Sequence, residues 1–142
     1  MSREIKFRGK TKDGRWVQGV PIKNGFGKLT FICFATSDLL SCPMEQIYKF
    51  CVEVVPETVT QYTGLYDSTA TEFCEGDILE DDGEYWKVEF YDGAFWVVAI
   101  GGTAVAELLI DNDYMDLVGN IYENPELWET LLYGKRNGLR SD

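Results

Sequence analysis

Histidine is absent from this sequence, and none of its four cysteines belongs to a Cys-x-x-Cys pair. Without histidine the chain supplies no Ser-His or Cys-His nucleophile. A structural zinc site needs closely spaced soft ligands, so the same absences argue against one. We therefore expect no enzymatic activity, no metal and no cofactor. Cys33, Cys51 and Cys74 have apolar neighbours, which predicts free, buried thiols.

Long apolar segments are also missing. A helix that spans a bilayer needs roughly 20 apolar residues, and no run in this chain approaches that length. The first residues, Met1 to Lys6, lack the apolar segment of a secretory signal. We therefore expect no membrane association and a cytoplasmic location, where a framework of disulfides would be unusual.

Negative charge dominates, but it is unevenly distributed. The net charge is −11, yet residues 1–50 carry nine Lys or Arg against four Asp or Glu, a balance of +5. Residues 51–142 carry four against twenty, a balance of −16. Such a split steers a partner, or a second copy of the chain, onto the protein. The alternative is that the excess charge serves only solubility.

Short β-rich segments alternate with turn signals along most of the chain. Asp-Gly and Asn-Gly pairs favour tight hairpins, Pro56 predicts a break in a strand, and Asn124-Pro125 predicts the capped start of a helix. The strands predicted from these patterns are Arg3–Arg8, Arg15–Ile22, Lys28–Phe34, Ile47–Val55, Val59–Thr63, Gly76–Glu80, Glu84–Phe90, Ala94–Ile100 and Leu117–Tyr122.

The sequence therefore predicts a mainly β fold with small α content. We expect an SH3-like barrel in the C-terminal half, packed with an N-terminal β-hairpin and sheet region, and a short C-terminal helix. The chain is read as a single unit, 1–142. Within it we predict an N-terminal β lobe at 1–58, a C-terminal SH3-like lobe at 59–134 and a tail at 135–142.

The N-terminal hairpin carries the only pattern typical of nucleic-acid binding, basic residues interleaved with Phe7 and Trp16. Alternation along a strand places Lys6, Arg8 and Lys10 on one face. The alternative is a solvated face of an edge hairpin, where lysines also discourage strand-on-strand aggregation. The acidic remainder would repel a phosphate backbone. The basic candidate binding residues are Arg3, Lys6, Arg8, Lys10, Lys12 and Arg15.

A second group of candidates comes from the segments Thr60–Asp67 and Glu75–Leu79, which read as strands joined by a glycine-marked turn. Tyr62 and Asp77 are the candidate binding residues here. Glu75 and Asp77 fit a carboxylate pair for acid–base chemistry or a metal. They also fit a turn in which the aspartate accepts backbone amides, and this is the reading that the sequence favours.

Aromatic residues in the second half allow two readings. Trp86, Phe90, Phe95 and Trp96 are of the type that lines a peptide-binding groove in SH3 domains. More often, residues of this type form the core of a barrel.

Five segments in order resemble the YopX family. They are Arg3-Glu4-Ile5-Lys6-Phe7-Arg8-Gly9-Lys10, Trp16-Val17-Gln18-Gly19, residues 55–67, Glu75-Gly76-Asp77-Ile78-Leu79 and residues 118–127. The resemblance implies a mainly β protein with SH3-like parts, encoded by bacteriophages, prophages or other mobile elements. It implies no established biochemical activity. The segment from Asp67 to Cys74 departs from the family's pattern.

Together these observations predict a non-enzymatic protein in the cytoplasm of a bacterial host. We expect it to act through contacts with an unidentified host or phage protein, as a homo-oligomer. The alternatives are a nucleic-acid-associated protein that uses the basic hairpin and an acidic mimic of nucleic acid.

Overall fold

Residues 5–25, 28–34, 43–100, 105–110 and 112–136 are described by the structure, which is a computed structural model. The chain divides into two compact units, Met1–Tyr62 and Thr63–Asp142. The sequence predicts a boundary between two lobes after residue 58, whereas the boundary between these two units follows Tyr62. The predicted tail lies mostly outside the described residues, as does Arg3.

Four antiparallel strands form a closed barrel that includes most of the first unit. β1 pairs with β2, β2 with β3 and β3 with β4, and β4 returns to pair with β1. Since the last pairing joins both edges, none of the four strands is left as an open sheet edge. The elements are β1 (Phe7–Lys10), β2 (Trp16–Asn24), β3 (Leu29–Cys33), a 3₁₀-helix (Met44–Phe50) and β4 (Cys51–Tyr66).

Two glycines make this small barrel possible. A Cβ atom at Gly9 would lie 3.0 Å from a side-chain carbon of Val54, and one at Gly19 would overlap the carbonyl oxygen of Cys33. The neighbouring side chains are almost fully buried, with Ile32 0%, Cys33 2% and Val54 1% exposed. At Gly19 two backbones therefore approach more tightly than any side chain allows, and at Gly9 the missing Cβ leaves room for the side chain of Val54.

Pro56 does not break the strand, contrary to the sequence prediction. β4 runs without interruption from Cys51 to Tyr66. Its pairing with β1 shifts register here, because Lys10 faces Val55 while Arg8 faces Thr60. Proline is tolerated in such a bulge, since no partner needs its missing N–H.

A threonine side chain replaces the backbone bonds that this bulge removes. The hydroxyl of Thr58 accepts the amide of Lys10 at 2.8 Å and donates to the carbonyl of Val55 at 2.6 Å. Thr58 is buried. Its side chain therefore satisfies polar backbone groups that would otherwise be costly to bury.

The second unit is built on a meander. Its main sheet has the order β10-β6-β7-β8-β9, and β5 is hydrogen-bonded to β4. The two hairpin turns have positive φ at successive residues, 55° and 84° at Asp82-Gly83, and 51° and 75° at Asp92-Gly93. These are the angles that Asp-Gly turns adopt readily. The elements are β5 (Glu72–Cys74), β6 (Asp77–Asp81), β7 (Glu84–Tyr91), β8 (Ala94–Ala99), β9 (Ala106–Leu108), β10 (Asp116–Asn120) and α1 (Pro125–Arg136).

Residues of this sheet, of β5 and of the positions that flank β9 and β10 form the core of the second unit. The buried cluster comprises Phe73, Leu79, Val88, Val97, Leu109 and Met115. Four side chains that are only partly buried pack against it, Leu65, Trp86, Phe95 and Leu117. Burial of this apolar area is the main force that holds the second unit together.

The mainly β class, with a barrel, a second sheet and a short C-terminal helix, is confirmed. The pairing that closes a ring, however, lies among β1 to β4, whereas the sequence placed the barrel in the C-terminal half. Local patterns do not show this closure, because β1 and β4 are about fifty residues apart.

The side chain of Asn124, which the sequence predicts to cap the first amides of the helix, bonds a different backbone group. The side-chain oxygen of Asn124 accepts the amide of Asn120 at 3.1 Å and so fixes the preceding turn. A competing local hydrogen bond of this kind is common for asparagine. The helix itself begins at Pro125, as predicted.

Replacing Gly19 with alanine tests the tight approach of the strands. The new Cβ atom meets backbone, which no side-chain rotation relieves, so we expect a loss of at least about 2 kcal/mol in the free energy of unfolding. Urea denaturation, monitored by circular dichroism, measures this free energy of unfolding. Gly25→Ala is the control, because a Cβ atom there meets nothing within 4 Å. Equal stability of both variants would contradict the closed barrel.

Candidate functional site

Asp67 organises the turn that follows β4. Its Oδ1 accepts the amide of Thr69 at 2.8 Å, the Thr69 hydroxyl at 2.8 Å and the amide of Thr71 at 2.9 Å. Its Oδ2 accepts the amide of Leu117 at 3.3 Å. One carboxylate therefore fixes the loop between β4 and β5 and ties it to the start of β10.

These hydrogen bonds also set the charge state of Asp67. The residue is 7% exposed. Burial by itself opposes ionisation, but the bonds from Thr71, Thr69 and Leu117 outweigh it and lower the pKa of Asp67 below its ordinary value of 3.8. The carboxylate is ionised at neutral pH and engaged within the fold.

A pocket of about 380 Å³ lies beside this turn. Its lining combines the turn with the segment before β10, and includes Leu65, Tyr66, Asp67, Ile110, Asn112 and Asp113. The Asn112 side chain accepts the amide of Ile110 at 3.0 Å, which holds this wall of the pocket in place.

Asp77 occupies a structural position. It is 1% exposed, and its Oδ2 accepts the amide of Cys74 at 2.7 Å. This is the turn-forming arrangement that the sequence allowed as the alternative to a carboxylate pair with Glu75. Its role in binding stays a prediction. Glu75 lines a second pocket of about 260 Å³ together with Lys87, Phe90 and Tyr122.

Five residues of the first unit form a surface that we call the cationic–aromatic face: Lys6, Arg8, Lys10, Trp16 and Tyr62. Lys10 faces Trp16 across the β1–β2 pair, and the Tyr62 amide donates to the Lys6 carbonyl. The Arg8 guanidinium lies 4.4 Å and the Lys10 ammonium 5.8 Å from the Trp16 ring centroid. The Lys6 ammonium lies 4.9 Å from the Tyr62 ring centroid.

Stacking of this kind holds long cationic side chains against the sheet. The Arg8 Nε also donates to the Thr60 hydroxyl at 3.3 Å, which fixes the guanidinium from the β4 side. The face therefore presents positive charge on rigid aromatic supports. It unites four of the predicted site residues, Lys6, Arg8, Lys10 and Tyr62, with Trp16.

The remaining basic candidates lie around the first hairpin turn. The Lys12 ammonium is 3.7 Å from the Glu53 carboxylate, and the Arg15 Nε is 3.3 Å from the Asp13 carboxylate. These exposed ion pairs contribute little to stability, but each places an acidic group beside the cation. Arg3 lies outside the described residues, so its place relative to the face stays a prediction.

The aromatic residues of the second unit divide between core and surface. Trp86 and Phe95 pack against the buried cluster. Phe90 is 45% exposed and lies 4.9 Å from Phe95 between ring centroids, while Trp96 stacks on Tyr91 at 5.0 Å. The core reading therefore holds for Trp86 and Phe95, whereas a peptide-binding role for Phe90 and Trp96 stays a prediction.

The described part of the chain contains no group of three or more Cys, Asp or Glu side chains placed to hold a metal ion. Among those same residues, no helix has the length and apolar character required to cross a membrane.

The fold defines the class first: a mainly β protein with a closed four-stranded barrel, a second sheet and a short C-terminal helix. A family model described as YopX protein matches residues 6–129. The chain therefore belongs to the YopX family, as the five sequence segments predict. The family is one of unknown function.

The fold is also found in a solved structure. The chain is similar to the crystal structure of protein EF1440 from Enterococcus faecalis, with a TM-score of 0.52 and 21% sequence identity. The match covers 90% of this chain and 100% of that one. A likeness at this identity shows the fold alone. A search of the curated proteins finds no match.

Sequence reasoning missed the central place of Asp67. The signal was present, because an aspartate followed by threonines two and four residues later is typical of a turn in which side chains bond the backbone.

Replacing Asp67 with asparagine tests this turn. The amide loses the charge and part of the acceptor capacity, so we expect the free energy of unfolding at neutral pH to fall by about 1–3 kcal/mol. Because folding lowers the pKa of Asp67, the contribution is present above pH 3.8 and disappears as the pH falls through the lower folded-state value. Urea denaturation at several pH values measures both effects.

Asp113→Asn is the matched control, since Asp113 is an exposed aspartate that lines the same pocket. We expect little change from it. A deficit in Asp67→Asn that is the same at acid and neutral pH would contradict a charge-dependent role.

Proposed function

We propose that this protein is a non-enzymatic protein-interaction module of phage or prophage origin. It acts in the cytoplasm of the bacterial host through the cationic–aromatic face, which binds an acidic protein surface. The observation that carries the proposal is the stacking of Arg8 and Lys10 on Trp16, with Lys6 on Tyr62.

The composition of the face suits a protein partner. Tyrosine, tryptophan and arginine are the residues that most often contribute the binding energy of interfaces. The aromatic rings hold the cations in place before binding, so less side-chain entropy is lost on association. The partner's acidic groups would meet cations already positioned on a closed barrel.

A second copy of the chain carries the negative charge that a partner of the cationic–aromatic face needs. The first unit, residues 1–62, carries nine Lys or Arg against six Asp or Glu, a balance of +3. The second unit carries four against eighteen, a balance of −14. Opposite net charges favour the approach of the first unit of one copy to the second unit of another. This supports a homo-oligomer.

The alternative is binding to single-stranded nucleic acid, favoured by the same stacked cations. Aromatic rings beside basic groups form the platforms on which bases stack, and the backbone follows the positive charge. The net charge of −14 on the second unit opposes such binding. The protein partner is therefore the better-supported reading.

Charge reversal on the face tests the proposal. In the double variant Lys6→Glu and Arg8→Glu, we expect self-association to weaken by about tenfold or more, because like charges then meet at the interface. Sedimentation velocity over a range of protein concentrations, at low and at physiological salt, measures it. The wild-type protein should associate more strongly at low salt.

Lys23→Glu is the control, since it reverses an exposed charge of β2 that lies outside the face. It should leave association unchanged. Fluorescence anisotropy with a labelled single-stranded oligonucleotide tests the alternative in parallel. A wild-type protein that stays monomeric at every concentration and binds the oligonucleotide through Lys6 and Arg8 would overturn the proposal in favour of nucleic acid.

A further inference from the structure

Two cysteines face each other across neighbouring strands of the barrel. Cys33 at the end of β3 is the direct partner of Cys51 at the start of β4. The next pair along is Phe34 and Phe50, and the Phe34 amide donates to the Phe50 carbonyl at 2.9 Å. Hydrogen-bonded and non-hydrogen-bonded pairs alternate in an antiparallel ladder. Cys33 and Cys51 are therefore a non-hydrogen-bonded pair.

That position sets the distance between the two residues. The Cα atoms of a non-hydrogen-bonded pair lie about 4.5 Å apart, and their side chains lie on the same face of the sheet. Disulfides occur at Cα separations from about 4.4 to 6.8 Å. The backbone therefore brings the two thiols within bonding range without moving either strand.

We propose that Cys33 and Cys51 form an intramolecular disulfide when the protein meets a small-molecule disulfide such as oxidised glutathione. The site is built by strand register, and neither residue belongs to the cationic–aromatic face. The pairing would join the two strand ends that flank the segment containing the 3₁₀-helix. This inference is independent of the proposed function.

Exposure decides the order of the two steps. Cys51 is half-buried, whereas Cys33 is 2% exposed. The Cys51 thiolate attacks one sulfur of the small disulfide, forms a mixed disulfide and releases one small thiolate. The Cys33 thiolate then attacks the Cys51 sulfur, forms the internal disulfide and releases the second. Two protein thiols are oxidised, one small disulfide is reduced, and the two protein protons pass to the released thiolates.

The surroundings of Cys51 place its thiol beside that of Cys33. Burial, and then the thiol of Cys33 beside it, raise the pKa of Cys51. The Cys51 thiol also donates to the Ile47 carbonyl at 3.6 Å. Cys51 is thus held as a neutral thiol, and both cysteines remain free in this structure.

The other two cysteines provide the comparison. Cys74 is fully buried in the second unit, where its backbone amide bonds Asp77. Cys42 lies outside the described residues but only nine positions before Cys51 in the sequence. A bond between Cys42 and Cys51 is therefore the competing outcome.

The test treats the reduced, full-length protein with oxidised glutathione, blocks the remaining thiols, and maps peptides by mass spectrometry without reduction. We expect the protein to lose two of its four free thiols and to yield a peptide pair linked through Cys33 and Cys51. The oxidised protein should also unfold at a higher urea concentration than the reduced protein, because the cross-link restricts the unfolded chain.

Three variants sharpen the result. Cys33→Ala and Cys51→Ser should each lose the linked peptide. Cys51 is the more exposed of the two residues, so its replacement disturbs the core less. Cys42→Ser, the control, should keep it. A Cys42–Cys51 link, a stable glutathione adduct or a disulfide-bonded dimer in place of the Cys33–Cys51 link would overturn the proposal. Peptide mapping of the wild-type protein alone reveals each of these outcomes, so the test does not depend on the folding of any variant.

Discussion

The pairing of β1 with β4 is the constraint on which the first unit depends. It turns a row of four strands into a closed ring, so the strand edges that would otherwise attract other chains are satisfied within the molecule. Closure on this scale depends on Gly19, which lets two backbones approach closely, and on Gly9, which leaves room for the side chain of Val54. It also requires a bulge in β4, where Thr58 supplies the hydrogen bonds that the shifted register removes.

The cationic–aromatic face is a consequence of that closure. β1 contributes Arg8 and Lys10, and Lys6 directly precedes it, while β2 contributes Trp16 and β4 contributes Tyr62. Trp16 lies beside β1 because of a local hairpin, but Tyr62 reaches Lys6 only because β4 returns to the same strand. The face is therefore a property of the folded ring, and a hairpin alone would not complete it. The same ring aligns β3 with β4, which brings Cys33 opposite Cys51.

The sequence predicted what local chemistry determines. The hairpins at Asp82-Gly83 and Asp92-Gly93 follow from the backbone angles that these residues favour, and the start of the helix follows from Pro125. Closure between β1 and β4 was not predictable, because no pattern in either strand identifies a partner about fifty residues away. Pro56 was misread as a break for the same reason, since only the partner strand reveals a bulge. Of the candidate site, alternation placed Lys6, Arg8 and Lys10 together, whereas the contribution of Tyr62 to that face depended on the unseen pairing.

Native-state hydrogen exchange at two amides of this pairing is the most direct test. The Lys10 amide is bonded to the Thr58 hydroxyl and the Tyr62 amide to the Lys6 carbonyl, so both should exchange slowly in the wild-type protein. In Thr58→Val, which keeps the shape but loses the hydroxyl, the Lys10 amide should exchange much faster. Exchange of both amides in the wild-type protein at the rate of an unfolded chain would show that β1 does not pair with β4 and would contradict the closed barrel.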